Sequence, residues 1–134
     1  MNDFFLDVRV NLTGAQEFSD EKQRICMVFF GGTFHSTYGD GEILPGGTDT
    51  QHFGQDGSGT LSARYMMRGK TEDGREFHFF VQNDAVVTQG EETVTTPQVF
   101  TDLTEAKWLE SAKLTGTLQG AGEGQLVIRI VCAK

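Results

Sequence analysis

Apolar and polar residues alternate along much of the chain. Phe4, Leu6, Val8, Val10 and Leu12 fall on one side of the first segment, and Phe5, Asp7, Arg9 and Asn11 on the other. A period of two with one polar face predicts a half-buried β-strand. The same alternation recurs. Leu61, Ala63, Tyr65 and Met67 oppose Thr60, Ser62, Arg64, Met66 and Arg68. Phe77, Phe79, Val81 and Asn83 oppose Glu76, His78, Phe80 and Gln82, and Leu126, Ile128, Ile130 and Cys132 share a face of the final strand. The stretch RICMVFFGGTFHS is apolar enough at its centre to be covered on both faces. Its Gly31-Gly32 pair predicts a bulge or a sharp bend.

Turn chemistry separates these strands. Gly39-Asp40-Gly41, Pro45-Gly46-Gly47 and Asp56-Gly57 predict tight turns, and Asp73-Gly74 predicts a hairpin tip. Gly90 lies near a further turn, and the run Gly120 to Gly124 closes a last hairpin. Pro97 predicts an edge, a bulge or a strand end, because it cannot donate to a ladder. The glycine-rich region 31–59 is therefore a set of strands. It carries Phe34, Tyr38, Ile43, Leu44 and Phe53, too many apolar residues for a solvated tether. It is not followed by the helix that a phosphate loop needs.

The single helical signal is TDLTEAKWLESAK. Asp102 can cap it, Glu105 follows three residues later, and Leu103, Ala106, Trp108 and Leu109 form an apolar patch. This predicts one or two turns near residues 102–109. About eight to ten short strands at ~8–12-residue spacing predict an all-β chain with one antiparallel β-barrel spanning residues 1–134. An eight-strand closure leaves room for packed side chains or one small ligand.

The order of these signals resembles a family, the domain-of-unknown-function 3237 proteins, which are small and mainly bacterial. The family pattern of GGxF, a G-x-[VI]-L-P-G-G-x-D segment, DG, an L-x-x-R-Y strand, a DG hairpin and a V-x-N strand is met here in order. It falls at Gly31 to Phe34, Gly41 to Asp49, Asp56-Gly57, Leu61 with Arg64-Tyr65, Asp73-Gly74, and Val81 with Asn83. TTPQVF and KWLE resemble its later T-P-x-F and W-L segments. The resemblance implies a β-barrel and no established activity. Two positions depart from the family: Asp84-Ala85 stands where Arg-Gly is usual, and Thr50 where Trp often follows the Asp.

Composition adds constraints. Eleven phenylalanines suit a sheet with a wide interior. The formal net charge of −8 repels nucleic acid and anionic lipid, and neither is an expected partner. No apolar run approaches the ~20 residues of a membrane span. Cys26 and Cys132 sit in apolar stretches, and the N-terminus lacks a basic region followed by an apolar one. The expectation is a cytoplasmic protein with reduced core thiols, no metal and no cofactor.

Chemistry is sparse. Asp49, His52, Arg64 and Tyr65 are the candidate catalytic residues: Asp49 or a histidine as base, Arg64 or Tyr65 stabilising developing negative charge. Adjacent strand residues point oppositely, so Arg64 and Tyr65 cannot both line one cavity without a bulge. The bland alternatives are a turn-capping Asp49, a core Tyr65 and a surface Arg64. Gln51, Asn83, Phe77, Phe79 and Trp108 are the candidate ligand-binding residues, with Asn83 pairing a turn and Trp108 plugging a barrel end as the structural alternatives. His35, His52 and His78 lie on different strands, and their convergence is open. The leading functional reading is a barrel that binds a small apolar or aromatic ligand inside. A cofactor-free isomerase, cyclase or lyase, and a structural oligomerisation module with a filled barrel, are the alternatives. Met66, Phe80 and Arg68 on the mixed faces suggest a homodimer.

Overall fold

A computed structural model describes residues 3–132. The strands are β1 (Phe5–Ser19), β2 (Gln23–Ser36), β3 (Gly39–Ile43), β4 (Gly47–Gly54), β5 (Gly59–Lys70), β6 (Glu76–Val87), β7 (Val94–Thr101), β8 (Leu114–Gly120) and β9 (Gln125–Cys132). A 3-10 helix, Thr104–Ser111, joins β7 to β8. All strands are antiparallel in one sheet of order β1-β9-β8-β7-β6-β5-β3-β2-β4, closed by β1–β2 and β5–β4 pairing. The expected all-β antiparallel barrel with one short helix is present. Among the described residues no helix is long and apolar enough to cross a membrane.

The barrel has eight staves, because β3 and β4 share one. Both pair with β2 on one side and β5 on the other, β3 at one end and β4 at the other. Leu44-Pro45-Gly46 separates them. Proline has no N–H for a ladder, so it suits the break. The Leu44 N–H still donates to the Met66 carbonyl at 2.8 Å.

Two turn expectations are corrected here. Gly39 and Gly41 belong to β3, and the reversal after β2 falls at Thr37-Tyr38. Gly31-Gly32 does not break β2, which runs unbroken through both. The irregularities lie in its neighbours. The chain Ile43 to Gly46 bulges opposite Gly31-Gly32, and β1 has a register shift between Leu12 and Gly14. Gly32 is needed for close approach: it has φ +143°, and a Cβ there would lie 1.9 Å from the Arg9 carbonyl oxygen.

The register closes with the same parity all round. Leu6 and Val8 pair with Ile130 and Ile128; Tyr65 pairs with Val81, and Val81 with Val99. These form a buried middle layer with Met67. One end is sealed by the helix, whose Ala106 and Leu109 are buried together with Leu103. Its seal is aromatic. Phe79 meets Phe77, Phe34 and Phe4 at ring distances of 5.0, 5.8 and 6.2 Å. Fully burying each such ring is worth ~1.5–3 kcal/mol. The opposite end is open.

Candidate functional site

The open half of the barrel holds a cavity of about 190 Å³. Its apolar wall is Val10 and Leu12 from β1, Val28 and Phe30 from β2, Leu61 and Ala63 from β5, Leu118 from β8, and Leu126 and Ile128 from β9. Four polar residues enter it: Asp49, Gln51, Asn83 and Thr95. Inward alternation along each strand delivers them. Val28, Asp49, Ala63, Asn83 and Pro97 form one continuous cross-strand row, and Gln51 follows Asp49 on the same face of β4. Asp49 and Asn83 are two staves apart, about 10 Å between backbones.

The polar groups are not mutually satisfied. Gln51 Nε2 donates to Asp49 Oδ2 at 2.9 Å. Asp49 Oδ1, Asn83 Oδ1, Thr95 Oγ1 and the Tyr65 hydroxyl are buried and lack a hydrogen-bond partner in the protein. Buried polar atoms are nearly always paired, so three unpaired ones on residues that line one cavity need an explanation. Tyr65 stands one layer below the cavity, its ring 5.3 Å from that of Phe30. Burial pushes its hydroxyl far above the usual tyrosine value, so it stays a neutral donor. Thr95 reaches inward because its partner on β8 is Gly116; a Cβ there would lie 2.3 Å from Thr95 Oγ1.

The structure sorts the candidates from the sequence. It brings Asp49, Gln51 and Asn83 to one cavity, and leaves Tyr65 in the buried layer beneath, outside the lining. Arg64 takes the outward parity on β5, and its Nη1 donates to Ser62 Oγ at 2.7 Å. His52 also points outward, with Nε2 2.8 Å from Gln23 Oε1. The catalytic roles considered for Arg64 and His52 therefore have no place at the cavity. The other histidines are also outside: His35 contacts Asp40 at 2.5 Å and His78 contacts Asp102 at 2.8 Å. The three do not converge. Among the described residues no group of three or more His, Cys, Asp or Glu could hold a metal ion.

Phe77 and Phe79 face inward but are fully buried at the sealed end, away from the cavity. Trp108 sits there too, donating from Nε1 to the Tyr38 hydroxyl at 2.7 Å and meeting Phe4 edge-on at 6.3 Å. These three residues build the plug and are not among the residues that line the cavity. Thr95 is the site residue that sequence reasoning missed. Its position two residues before Pro97, on a strand paired with that of Asn83, was the available signal.

The fold is shared with solved structures. A protein of unknown function from Clostridium acetobutylicum is 18% identical, with a TM-score of 0.78 and full coverage of both chains. A β-barrel-like protein from Acinetobacter baumannii is 18% identical, with a TM-score of 0.71 over 96% of this chain and 92% of that one. A protein described as an enzyme from Penicillium herquei is 21% identical, with a TM-score of 0.69 over 98% of this chain and 92% of that one. No curated protein matches the chain. The family whose description is "Protein of unknown function (DUF3237)" matches residues 2–132, and this chain belongs to it.

Proposed function

We propose that the barrel binds a small, largely apolar ligand in its open half, oriented by Asp49, Asn83 and Thr95. The observation that carries this reading is the set of buried, unpartnered polar atoms around an otherwise apolar cavity. Leaving such atoms unpaired costs ~1–3 kcal/mol each. A ligand that supplies the missing partners would recover that cost on binding. The middle layer and the helix plug close the floor, so the cavity is a blind pocket of the kind that binds small molecules. A filled oligomerisation module is disfavoured by the same cavity.

The test is a thermal-shift screen of small ring compounds on the wild type and on Ala63→Phe, which fills the cavity from its wall. The expected result is stabilisation of the wild type by some members and of the variant by none. No shift with any member, or equal shifts in both proteins, overturns the reading.

A second reading is a cofactor-free isomerase, cyclase or lyase. It rests on Asp49 Oδ1, an unpartnered carboxylate oxygen at the cavity, as base, with the neutral Tyr65 hydroxyl as donor. The chain's likeness to the Penicillium herquei protein is one of fold. Turnover of a bound compound by the wild type but not by Asp49→Asn would select this reading over simple binding.

Self-association belongs to the outer wall. Met66, Phe80 and Phe100 form one cross-strand row on the outward face, with Met66 and Phe100 exposed at 42% and 38%. We propose a homodimer through this row.

A further inference from the structure

We propose that the ligand of the barrel cavity is a compact apolar amine, a single ring-sized body carrying a protonated amino group. This rests on the binding reading above and specifies its chemistry.

Charge comes first. Asp49 is the one ionisable side chain among the residues lining the cavity. Arg9, Arg64 and Arg129 adjoin the lining residues Val10, Ala63 and Ile128 in sequence, and strand alternation turns all three outward. At the rim, Arg24 is engaged by Glu17 at 2.8 Å. A carboxylate or phosphate ligand would meet a like charge and no cation, a costly arrangement away from water. A cation meets its counter-charge.

The hydrogen-bonding inventory agrees. Asp49 Oδ1, Asn83 Oδ1 and Thr95 Oγ1 are unpartnered oxygens that can each accept. An ammonium carries three donors and no acceptor. The apolar remainder of the wall suits a hydrocarbon body. At about 190 Å³ the cavity is one ring in scale, since an apolar cavity of ~150 Å³ holds benzene.

The approach carries the same sign. The open end is framed by the β1–β2, β4–β5, β6–β7 and β8–β9 turns. Their exposed acidic residues are Asp20, Glu21, Asp56, Glu91, Glu92 and Glu123, against Lys22 as the single basic residue. A predominantly acidic rim raises the local concentration of cations.

The experiment titrates the full-length isotope-labelled protein with benzylamine, benzyl alcohol and benzoate, three probes of one ring and nearly one size. Amide shifts at the lining residues are followed by NMR. Benzylamine is expected to bind about fivefold or more tighter than benzyl alcohol, from the larger gain of a charge-assisted hydrogen bond. Benzoate is expected to bind about tenfold or more weaker than benzylamine. The preference for the amine should shrink as salt rises from about 20 mM to about 500 mM. Asp49→Asn should erase the preference for amine over alcohol. Equal affinities for the three probes, or tighter binding of benzoate, overturn the amine proposal and leave the cavity reading standing. No binding of any probe at the cavity overturns both. The wild-type comparison decides the question even if the variant fails to fold.

Discussion

Gln51 donates to one oxygen of Asp49 at 2.9 Å and leaves the other, Oδ1, buried without a partner. Both residues face inward on β4, two positions apart. The amide thus fixes the carboxylate while leaving one acceptor unpaired in the cavity wall. A carboxylate serving only a turn would have its bonds met by the turn.

Asn83 tests whether the polar cluster is kept at the expense of stability. It is 4% exposed with Oδ1 unpartnered. Asn83→Leu, close in volume, is expected to raise the stability of the ligand-free protein by about 1 kcal/mol, because it removes an unsatisfied buried acceptor. Ligand affinity should fall in the same variant. Chemical denaturation and the probe titration measure the two effects. A variant less stable than wild type would mean that Asn83 is structurally satisfied.

Adjacent glycines on β2 should behave oppositely. Gly32 has φ +143° and no room for a Cβ beside the Arg9 carbonyl, whereas a Cβ at Gly31 meets nothing within 4 Å. Gly32→Ala is expected to cost more than about 2 kcal/mol. Gly31→Ala should be neutral or stabilising by up to ~1 kcal/mol, through reduced freedom of the unfolded chain. Urea midpoints of the two variants distinguish these outcomes.

Acid sensitivity should report on Asp102. Desolvation pushes its carboxyl up, but hydrogen bonds from the His78 backbone N–H and ring outweigh this and hold it below the ordinary carboxylate range. A group whose pKa is lower folded than unfolded adds stability above its unfolded value, near 3.9, and loses it as pH falls through the folded value. Asp102→Asn should therefore be less stable than wild type at neutral pH, by under ~1 kcal/mol because the pair is largely exposed. The difference should begin to shrink as pH falls below the unfolded value near 3.9 and vanish once the folded carboxyl is protonated. Melting curves across pH 2.5–7 give the comparison, and a gap that persists at the acid end would refute the assignment.

The outer aromatic row makes a prediction about assembly. Phe80 stands between Met66 and Phe100 on the barrel wall. Phe80→Glu should convert the proposed homodimer to a monomer in sedimentation velocity while leaving the cavity titration unchanged. A wild type that sediments as a monomer at all concentrations would remove the interface.

The local pattern of the chain determined the strands, most of their turns and which residues share a strand face. Period-two alternation needs only neighbouring residues, so Phe4 to Leu12, Leu61 to Met67 and Phe77 to Asn83 were legible before any contact was known. It also decided that Arg64 and Tyr65 point apart, though not which of them points in. The location of the cavity required closure of the sheet. Phe77, Phe79 and Asn83 share one face of one strand, yet the first two are packed shut and the third opens to the cavity. The difference is distance along the barrel axis from the Thr104–Ser111 plug, and the strand's own sequence does not encode that distance. Asp49, Asn83 and Thr95 likewise lie on three strands, and only the register of the closed barrel sets them around one volume. An inward direction is a property of one strand; a pocket is a property of eight strands and of what seals them.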